Sequence, residues 1–434
     1  MNQQEEIQEI QDYLERLFPI CRSITGNGNR ESLAILKELI PLKTVEVPDG
    51  KEVYDWTVPK EWNISGATIS SCDGETLIDF SNNNLHVVSY SLPVNETLTW
   101  EQLEPHLHKH DKLPEAIPYR TTYYANDWGF CVTHAQYERL SKHEGAFRVV
   151  IDSSLEPGSL TYGELLIPGE SPKEILISSY ICHPSMANDS LSGVLVAAFL
   201  ARRLLQKQTR KWSYRFVFVP ETIGAIAYCS ENESALKDID IGLVITTVGG
   251  PGKFGYKKSW NGHHRINSLI EESLQEHQEE FLVYPFDIHG SDERQYSTQG
   301  FRINTATICK DRYYEYDYYH SSLDNLEFVK AENLVKSLEV YSTLVGKIEA
   351  RRIFRSRVPH CEPMLSRRNL YPKKGGLQVP VVEGRSELDL ILWILFLSDG
   401  NSDVTEIASQ LNVGEDAIIE LSSRLEEQGV LERV

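Results

Sequence analysis

The chain has 434 residues, 41% of them hydrophobic and 24% charged. At roughly 100–200 residues per domain it should fold as two or three domains with a sizeable core, which excludes global disorder. Its 63 acidic and 43 basic residues give a net charge of −20, which argues against a general nucleic-acid binder and suits solubility and small or cationic substrates.

The opening MNQQEEIQEIQDYLERLF has neither the basic region nor the apolar core of a signal peptide. No apolar run approaches the ~20 residues of a membrane span. A soluble, cytoplasmic protein is expected. Ile7, Ile10, Tyr13, Leu14 and Leu17 recur at helical spacing, and a second amphipathic helix follows the turn Ser23–Gly28 through Leu33, Leu36, Leu39 and Ile40. From about residue 43 to 165 the pattern changes to short β-like runs, Val45–Val47, Ala67–Ile69 and Leu85–Tyr90, separated by prolines and Asn/Gly turns. This reads as a β-rich insertion. Its aromatic clusters, Tyr54–Trp56 and Tyr119–Tyr124 with Trp128, either pack a core, the plainer reading, or line a cleft.

From residue 174 strands alternate with helices. Glu174–Ser179, Tyr214–Val219 and Ile241–Val248 read as buried strands, Leu191–Leu205 and Ala225–Glu231 as helices, with further helices over 265–278 and 331–353. That alternation predicts an α/β fold with a mixed, mostly parallel sheet sandwiched by helices. The Pro-, Arg- and Gly-rich stretch 356–384, with the basic pairs Arg367–Arg368 and Lys373–Lys374, reads as a linker. Residues 385–434 read as a small winged helix-turn-helix domain, built on Leu388–Leu397, Asp403–Leu411 and Glu415–Gln428 with a wing at Val430–Val434. Its segment 402–434 holds Asp403, Glu406, Glu415, Asp416, Glu420, Glu426, Glu427 and Glu432 against only Arg424 and Arg433, so protein contact or dimerisation is expected of it rather than DNA binding. The organisation expected is an α/β domain from 1–45 and 165–355, a β-rich insertion over 46–164 and a winged helix over 385–434.

Three blocks carry chemistry: ISSYICHPSMANDSLSGVLVAAFL with His183 and Asp189, FVFVPETIGAIAY with Glu221, and YYHSSLDNLEFV with His320. Imidazole and carboxylate are natural zinc ligands, and a catalytic zinc keeps an open position for water. Two histidines and one aspartate on loops at one sheet edge satisfy that, and Glu221 at a strand end is placed to take a proton as general base. Asp324 should open a helix after His320. The Ser192–Gly193 pair permits close helix–sheet packing. The seven cysteines, from Cys21 to Cys361, contain no CxxC and read as reduced thiols, Cys182 being buried and structural.

The order His, Asp-x-x-Ser-Gly-Val, Glu at a strand end, Ser-Asp and Tyr-His-Ser resembles the zinc aminopeptidases typified by bacterial leucyl aminopeptidase. The opening CRSITGNGNRESLAIL fits the same family. DWTVPKEWNI, GELLIPGES, ICHPSMANDSLSG and VPETIGAIAY resemble more specifically a bacterial group of aminopeptidase-like proteins with an inserted β domain and a C-terminal winged helix, often associated with polysaccharide biosynthesis. The resemblance implies His183, Asp189 and His320 as metal ligands, Glu221 as general base and Asp292 as support behind them. Arg294 and the tyrosines around 313–319 would shape the substrate pocket. Thr222 and Thr247 stand where the family carries further carboxylate ligands, Ser185 replaces another aspartate, and Glu293 replaces a histidine. One zinc per chain rather than two is therefore expected. The activity implied is amide hydrolysis on a small peptide. An amide-bearing glycan precursor and a non-catalytic zinc scaffold are the alternatives, and a homo-oligomer is compatible with either.

Overall fold

The structure, a computed structural model, describes residues 3–371 and 386–434. Lys373–Lys374 and residues 372–384 of the expected linker lie outside the described residues. The chain separates into two compact units, residues 1–344 and 345–434.

The first unit is built on an eight-stranded sheet. Its members are β1 (Lys43–Pro48), β6 (Ser159–Ile167), β7 (Glu174–Tyr180), β8 (Ser213–Val219), β9 (Ile241–Ile245), β10 (Phe254–Lys257), β11 (Phe281–Tyr284) and β12 (Asn304–Cys309), in the order β1-β6-β8-β7-β9-β12-β10-β11. The central strands β8, β7, β9 and β12 run parallel, and the flanking pairs β1–β6, β6–β8 and β10–β12 are antiparallel. Every residue of β8 and β9 is buried, as strands covered on both faces must be. The covering helices include α1 (Gln3–Leu17), α2 (Asn27–Leu36), α4 (Gly193–Gln206), α5 (Ile223–Glu231), α6 (Arg265–Glu276) and α8 (Ala331–Ala350). Leu14 and Phe199, on α1 and α4, and Phe216 on β8 are fully buried, so truncating Phe216 to alanine should cost about 3–5 kcal/mol. A Cβ on Gly193 would sit 2.1 Å from the Ile245 carbonyl oxygen. Only glycine lets α4 start this close to β9, as the Ser192–Gly193 pair suggested.

Between β1 and β6 the chain leaves the sheet and builds a second one of four strands, β3-β2-β5-β4: β2 (Glu61–Ser71), β3 (Thr76–Asp79), β4 (Val94–Leu98) and β5 (Phe147–Glu156). Ala67 and Ile69 alternate inward along β2, over a core holding Phe130 and Phe147 and flanked by helix α3 (His134–Ser141), whereas Trp62 packs in the core of the main sheet. The excursion is narrower than the expected 46–164. Glu46–Pro48 and Ser159–Glu164 belong to the main sheet, where Pro48 pairs with Ser159. Leu85–Tyr90 is not a strand: Asn84–His86 is a 3-10 turn capped by the Asn83 side chain, and only isolated bridges follow. Arg30 on α2 clamps the excursion by bonding Glu61 at 2.7 Å and Glu46 at 3.1 Å.

The second unit is a three-stranded antiparallel sheet with three helices: β13 (Ile353–Ser356), α9 (Glu387–Leu397), β14 (Asp399–Asp403), α10 (Val404–Leu411), α11 (Glu415–Glu427) and β15 (Leu431–Arg433). It starts well before residue 385, because β13 is the central strand of its sheet. Arg351, nearly buried, bonds Asp403 at 3.0 Å. Arg424 pairs with Glu387 and Arg433 with Glu426, so the two cations of the 402–434 segment are both engaged by carboxylates. Among the described residues no helix is long and apolar enough to cross a membrane.

Candidate metal centre

The centre lies at the carboxyl ends of β7, β8 and β9, where an open α/β sheet places its ligands. Beyond β7 the chain turns through His183, whose carbonyl oxygen accepts from the buried Arg22 Nε at 3.0 Å. Asp189 sits in the bend before α4, and Asp324 grips that bend by accepting from the amides of Asn188 at 2.6 Å and Asp189 at 2.9 Å. Asp324 therefore braces the ligand loop and does not start a helix; the next regular helix begins at Ala331. His320 belongs to the long irregular loop after β12, not to a strand end.

One donor atom each from His183, Asp189 and His320 lies within 4.8 Å of the others. His320 Nε2 is 3.2 Å from Asp189 Oδ2, and the imidazole centroids are 5.6 Å apart. Burial pushes His183 down to about 4, so its imidazole is neutral and free to donate a lone pair. Burial works to raise the Asp189 carboxyl, but the two imidazoles and the Tyr180 hydroxyl outweigh it and hold it at about 2. Two imidazoles and one carboxylate form a donor set that suits zinc and leaves a fourth position open.

Glu221, at the end of β8, brings Oε2 to 3.7 Å from His183 Nε2 and keeps 26% of its side chain exposed. Its dense surroundings, with the Asp292 and Asp189 charges, raise its carboxyl well above the usual range. Asp292 accepts from the Thr222 amide at 2.8 Å, fixing the turn that carries Glu221, and burial pushes it up to about 7. Thr222 and Thr247 both hold left-handed backbones, with φ of 62° and 49°. Such conformations cost a β-branched residue about 1–3 kcal/mol and cluster at functional sites. The Thr247 hydroxyl is buried with no hydrogen-bond partner.

Other expected residues fall elsewhere. Arg294 is exposed and donates to the Ile288 carbonyl at 3.3 Å, and its charge acts to lower the Asp292 carboxyl. Glu293 is fully buried and engaged by the Ser291 amide, Thr307, Tyr313 and Lys257. Among the nearby tyrosines, Tyr319 stacks on His320 at 3.9 Å. Two further residues stand in the site, Tyr119, from an aromatic cluster for which a cleft was the less plain reading, and Tyr180, which the sequence left unassigned. Tyr119, from the excursion, lies 5.2 Å from the His183 ring and 5.1 Å from the His320 ring, and its hydroxyl meets that of Tyr123 at 2.8 Å. Tyr180, the last residue of β7, hydrogen-bonds Asp189 Oδ1. Its position at a strand end beside the ligand block was the one available signal.

A family profile described as Domain of unknown function (DUF4910) matches residues 11–351, and one described as winged helix-turn-helix matches residues 352–433. A Clostridium acetobutylicum protein, provisionally described as a polysaccharide biosynthesis protein with aminopeptidase-like domain, is 44% identical over 401 residues, 92% of this chain and 90% of that one. The crystal structure of a provisionally designated peptidase from the same species superposes with a TM-score of 0.80 at 41% identity, covering 99% of this chain and 97% of that one. A zinc aminopeptidase from Bacillus subtilis gives a TM-score of 0.58 at 12% identity over 80% of this chain and 94% of that one, which shows a shared fold.

Proposed function

The chain belongs to the family described as Domain of unknown function (DUF4910), and from that premise we propose that it is a zinc-dependent hydrolase of aminopeptidase type, cleaving an amide bond. The observation that carries this reading is Glu221 beside the His183–Asp189–His320 cluster. A structural zinc is closed by four protein ligands and needs no spare carboxylate.

His183, Asp189 and His320 would hold one ion per chain. Bound there, zinc would supply Lewis-acid chemistry, polarising an amide carbonyl and acidifying a water. Glu221 takes the proton of the attacking water at Oε2 and returns it to the departing nitrogen. Burial and Asp292 raise its carboxyl, and a cation held by the three donors would favour its ionised form. Asp292 keeps Glu221 in place through the Thr222 amide. Tyr119 and Tyr319 wall the site and limit water around the reacting atoms.

A second reading, an amide-bearing glycan precursor as substrate, draws on the printed description of the Clostridium relative and on one cleft. That cleft, of about 230 Å³, is lined by His110, Asp111, Arg120, Tyr314, Asp317 and Tyr319 among others. One of its lining residues, Tyr319, stacks on His320, and the cleft combines aromatic faces with donors and acceptors of both charges, a lining that suits a polar ring better than an apolar side chain. The deciding experiment assays zinc-loaded protein on aminoacyl-arylamides, short peptides and N-acetylated sugars, with Glu221→Gln as blank. Glu221-dependent release of N-terminal amino acids supports the peptidase reading. Activity on acetylated sugars alone moves the assignment to the second. No turnover on any of them, with zinc bound and the fold intact, would leave a scaffold.

A further inference from the structure

We propose that the Tyr180 hydroxyl takes the place of a second cation at Asp189 and thereby holds the centre to a single metal ion. The inference rests on the zinc reading above and adds the group that sets the count. Asp189 has two carboxylate oxygens with different neighbours. Oδ2 faces His320 Nε2 at 3.2 Å, on the side of the three converging donors. Oδ1 accepts a hydrogen bond from the Tyr180 hydroxyl.

The direction of that bond is set by counting hydrogens. A phenol has one. The Thr246 hydroxyl donates to the phenol oxygen at 2.8 Å, which leaves the phenol's own hydrogen for Asp189. Tyr180, Thr246 and Asp189 are 2%, 0% and 1% exposed, so no solvent competes for either bond. An ionised oxygen that receives a buried phenol hydrogen is satisfied by a neutral partner. A carboxylate that bridges through its two oxygens sets one cation at each, and here the Tyr180 hydroxyl stands at Oδ1 where the second would lie.

The surroundings agree with that count. Thr246 directly precedes Thr247, so the end of β9 offers hydroxyls and no negative charge. The Thr247 hydroxyl is buried without a partner, and Thr222 is likewise neutral. The strand end that could present an anion to a second ion presents instead the donor that orients the phenol.

The test restores the missing charge and then removes the hydroxyl. Thr247→Asp adds a carboxylate at a left-handed position that aspartate adopts more readily than threonine. Zinc is titrated calorimetrically into the metal-free wild type, Thr247→Asp, and Thr247→Asp with Tyr180→Phe. Cobalt replaces zinc in a parallel set, read by absorption and by spin coupling between paired ions. One ion is expected in the wild type and in Thr247→Asp. Two are expected in the double variant, with the second bound about 10–100-fold tighter than any second ion in Thr247→Asp. A second ion bound equally well by Thr247→Asp alone would overturn the inference, and so would a double variant that takes only one. If Tyr180→Phe disturbs folding, Tyr180→Met in the Thr247→Asp background removes the hydroxyl with a side chain that repacks more readily. A tighter second ion is expected there too, and no gain overturns the proposal. Failure of the wild type to bind any ion while folded would instead remove the zinc reading itself, a distinct result.

Discussion

Tyr119 donates its backbone amide to the His320 carbonyl oxygen at 2.8 Å and sets its ring edge-on to the His320 imidazole at 5.1 Å. The contact is part of a strap. Pro118 bridges Ser321, the Ile117 amide donates to the Ser322 hydroxyl at 2.9 Å, and the Ser322 amide returns a bond to the Ile117 carbonyl. His320 itself holds a left-handed backbone, φ 54°, a conformation that needs outside support. Replacing Tyr119 with alanine should weaken zinc binding by about 10–100-fold, the usual effect of removing what orients a ligand. Tyr119→Phe keeps the ring and should stay near wild type. Competition with a chromophoric chelator measures both, and equal losses in the two variants would count against ring packing as the cause.

Glu221→Gln should lower turnover by about 10²–10⁴-fold while zinc content stays unchanged, since the amide keeps the shape and loses the base. Activity on the substrate found in the screen and metal analysis of the same sample check the two halves together. Loss of zinc from this variant would move Glu221 from proton carrier to ligand.

Stability should fall in acid through the Arg30–Glu61 clamp. Arg30 bonding holds Glu61 down at about 2, against burial acting to raise it, from an ordinary value of 4.5. The folded value lies below the unfolded one, so the contribution is complete above about pH 4.5 and is lost as pH falls toward 2. Melting temperatures across that window should drop less steeply for Glu61→Gln than for the wild type. Parallel curves would show that the clamp carries no linkage.

Thiol labelling should divide the cysteines by burial. Cys72 and Cys361 are exposed and should react promptly in the native protein. Cys131 and Cys309 are buried and pushed up to about 12, and burial beside Glu221 raises Cys182 further, so these should react only on unfolding. Mass spectrometry after brief alkylation assigns the sites. Early modification of Cys182 would mean that the turn before His183 opens in solution.

The winged unit should not bind DNA. Its recognition-position helix α11 carries Glu415, Asp416, Glu420, Glu426 and Glu427, and the nearby cations Arg424 and Arg433 are already in ion pairs. Phosphate contact would require breaking those pairs against a repulsive surface. Fluorescence anisotropy with a random duplex at low salt should show no binding, and salt-sensitive binding would refute this.

The parallel core was legible because its strands are buried on both faces and read as unbroken apolar runs, Tyr214–Val219 above all. His183 and Glu221 were singled out because they follow such runs closely, and Asp189 because it stands just before the next helix. The remainder depends on contacts that leave no periodic trace. Tyr119 reaches the centre from a stretch with no helical or strand spacing, held by backbone bonds that any sequence can make. Tyr180 falls one residue beyond the expected strand Glu174–Ser179, and its hydroxyl gains a role only because Thr246 and Asp189 meet it in space. Asp324 carries a helix-capping residue type, but its carboxylate caps the amides of the Asp189 loop, far away in sequence. Arg294 follows Asp292 closely in sequence, yet the short helix that starts there turns its side chain to solvent. β13 was hidden because its sheet partners lie beyond residue 398, on the other side of the Pro- and Gly-rich stretch.

The pairing of Pro48 with Ser159 brings the exit and re-entry points of the inserted segment to one rung of the main sheet. A two-residue turn could join β1 to β6 and leave that ladder uncut, so by backbone connectivity the segment is a cassette with adjacent sockets. Chemically it is not, because Tyr119 travels with it. Excision would yield a chain able to close its sheet but lacking the strap on its own histidine loop. The reverse graft, placing this cassette on a related sheet, would transplant a wall of the reaction chamber together with the fold element that carries it. Gain or loss of the segment would therefore change the chemistry of the centre in one step, together with the core that Val53, Val58, Trp62 and Tyr90 share with the main sheet.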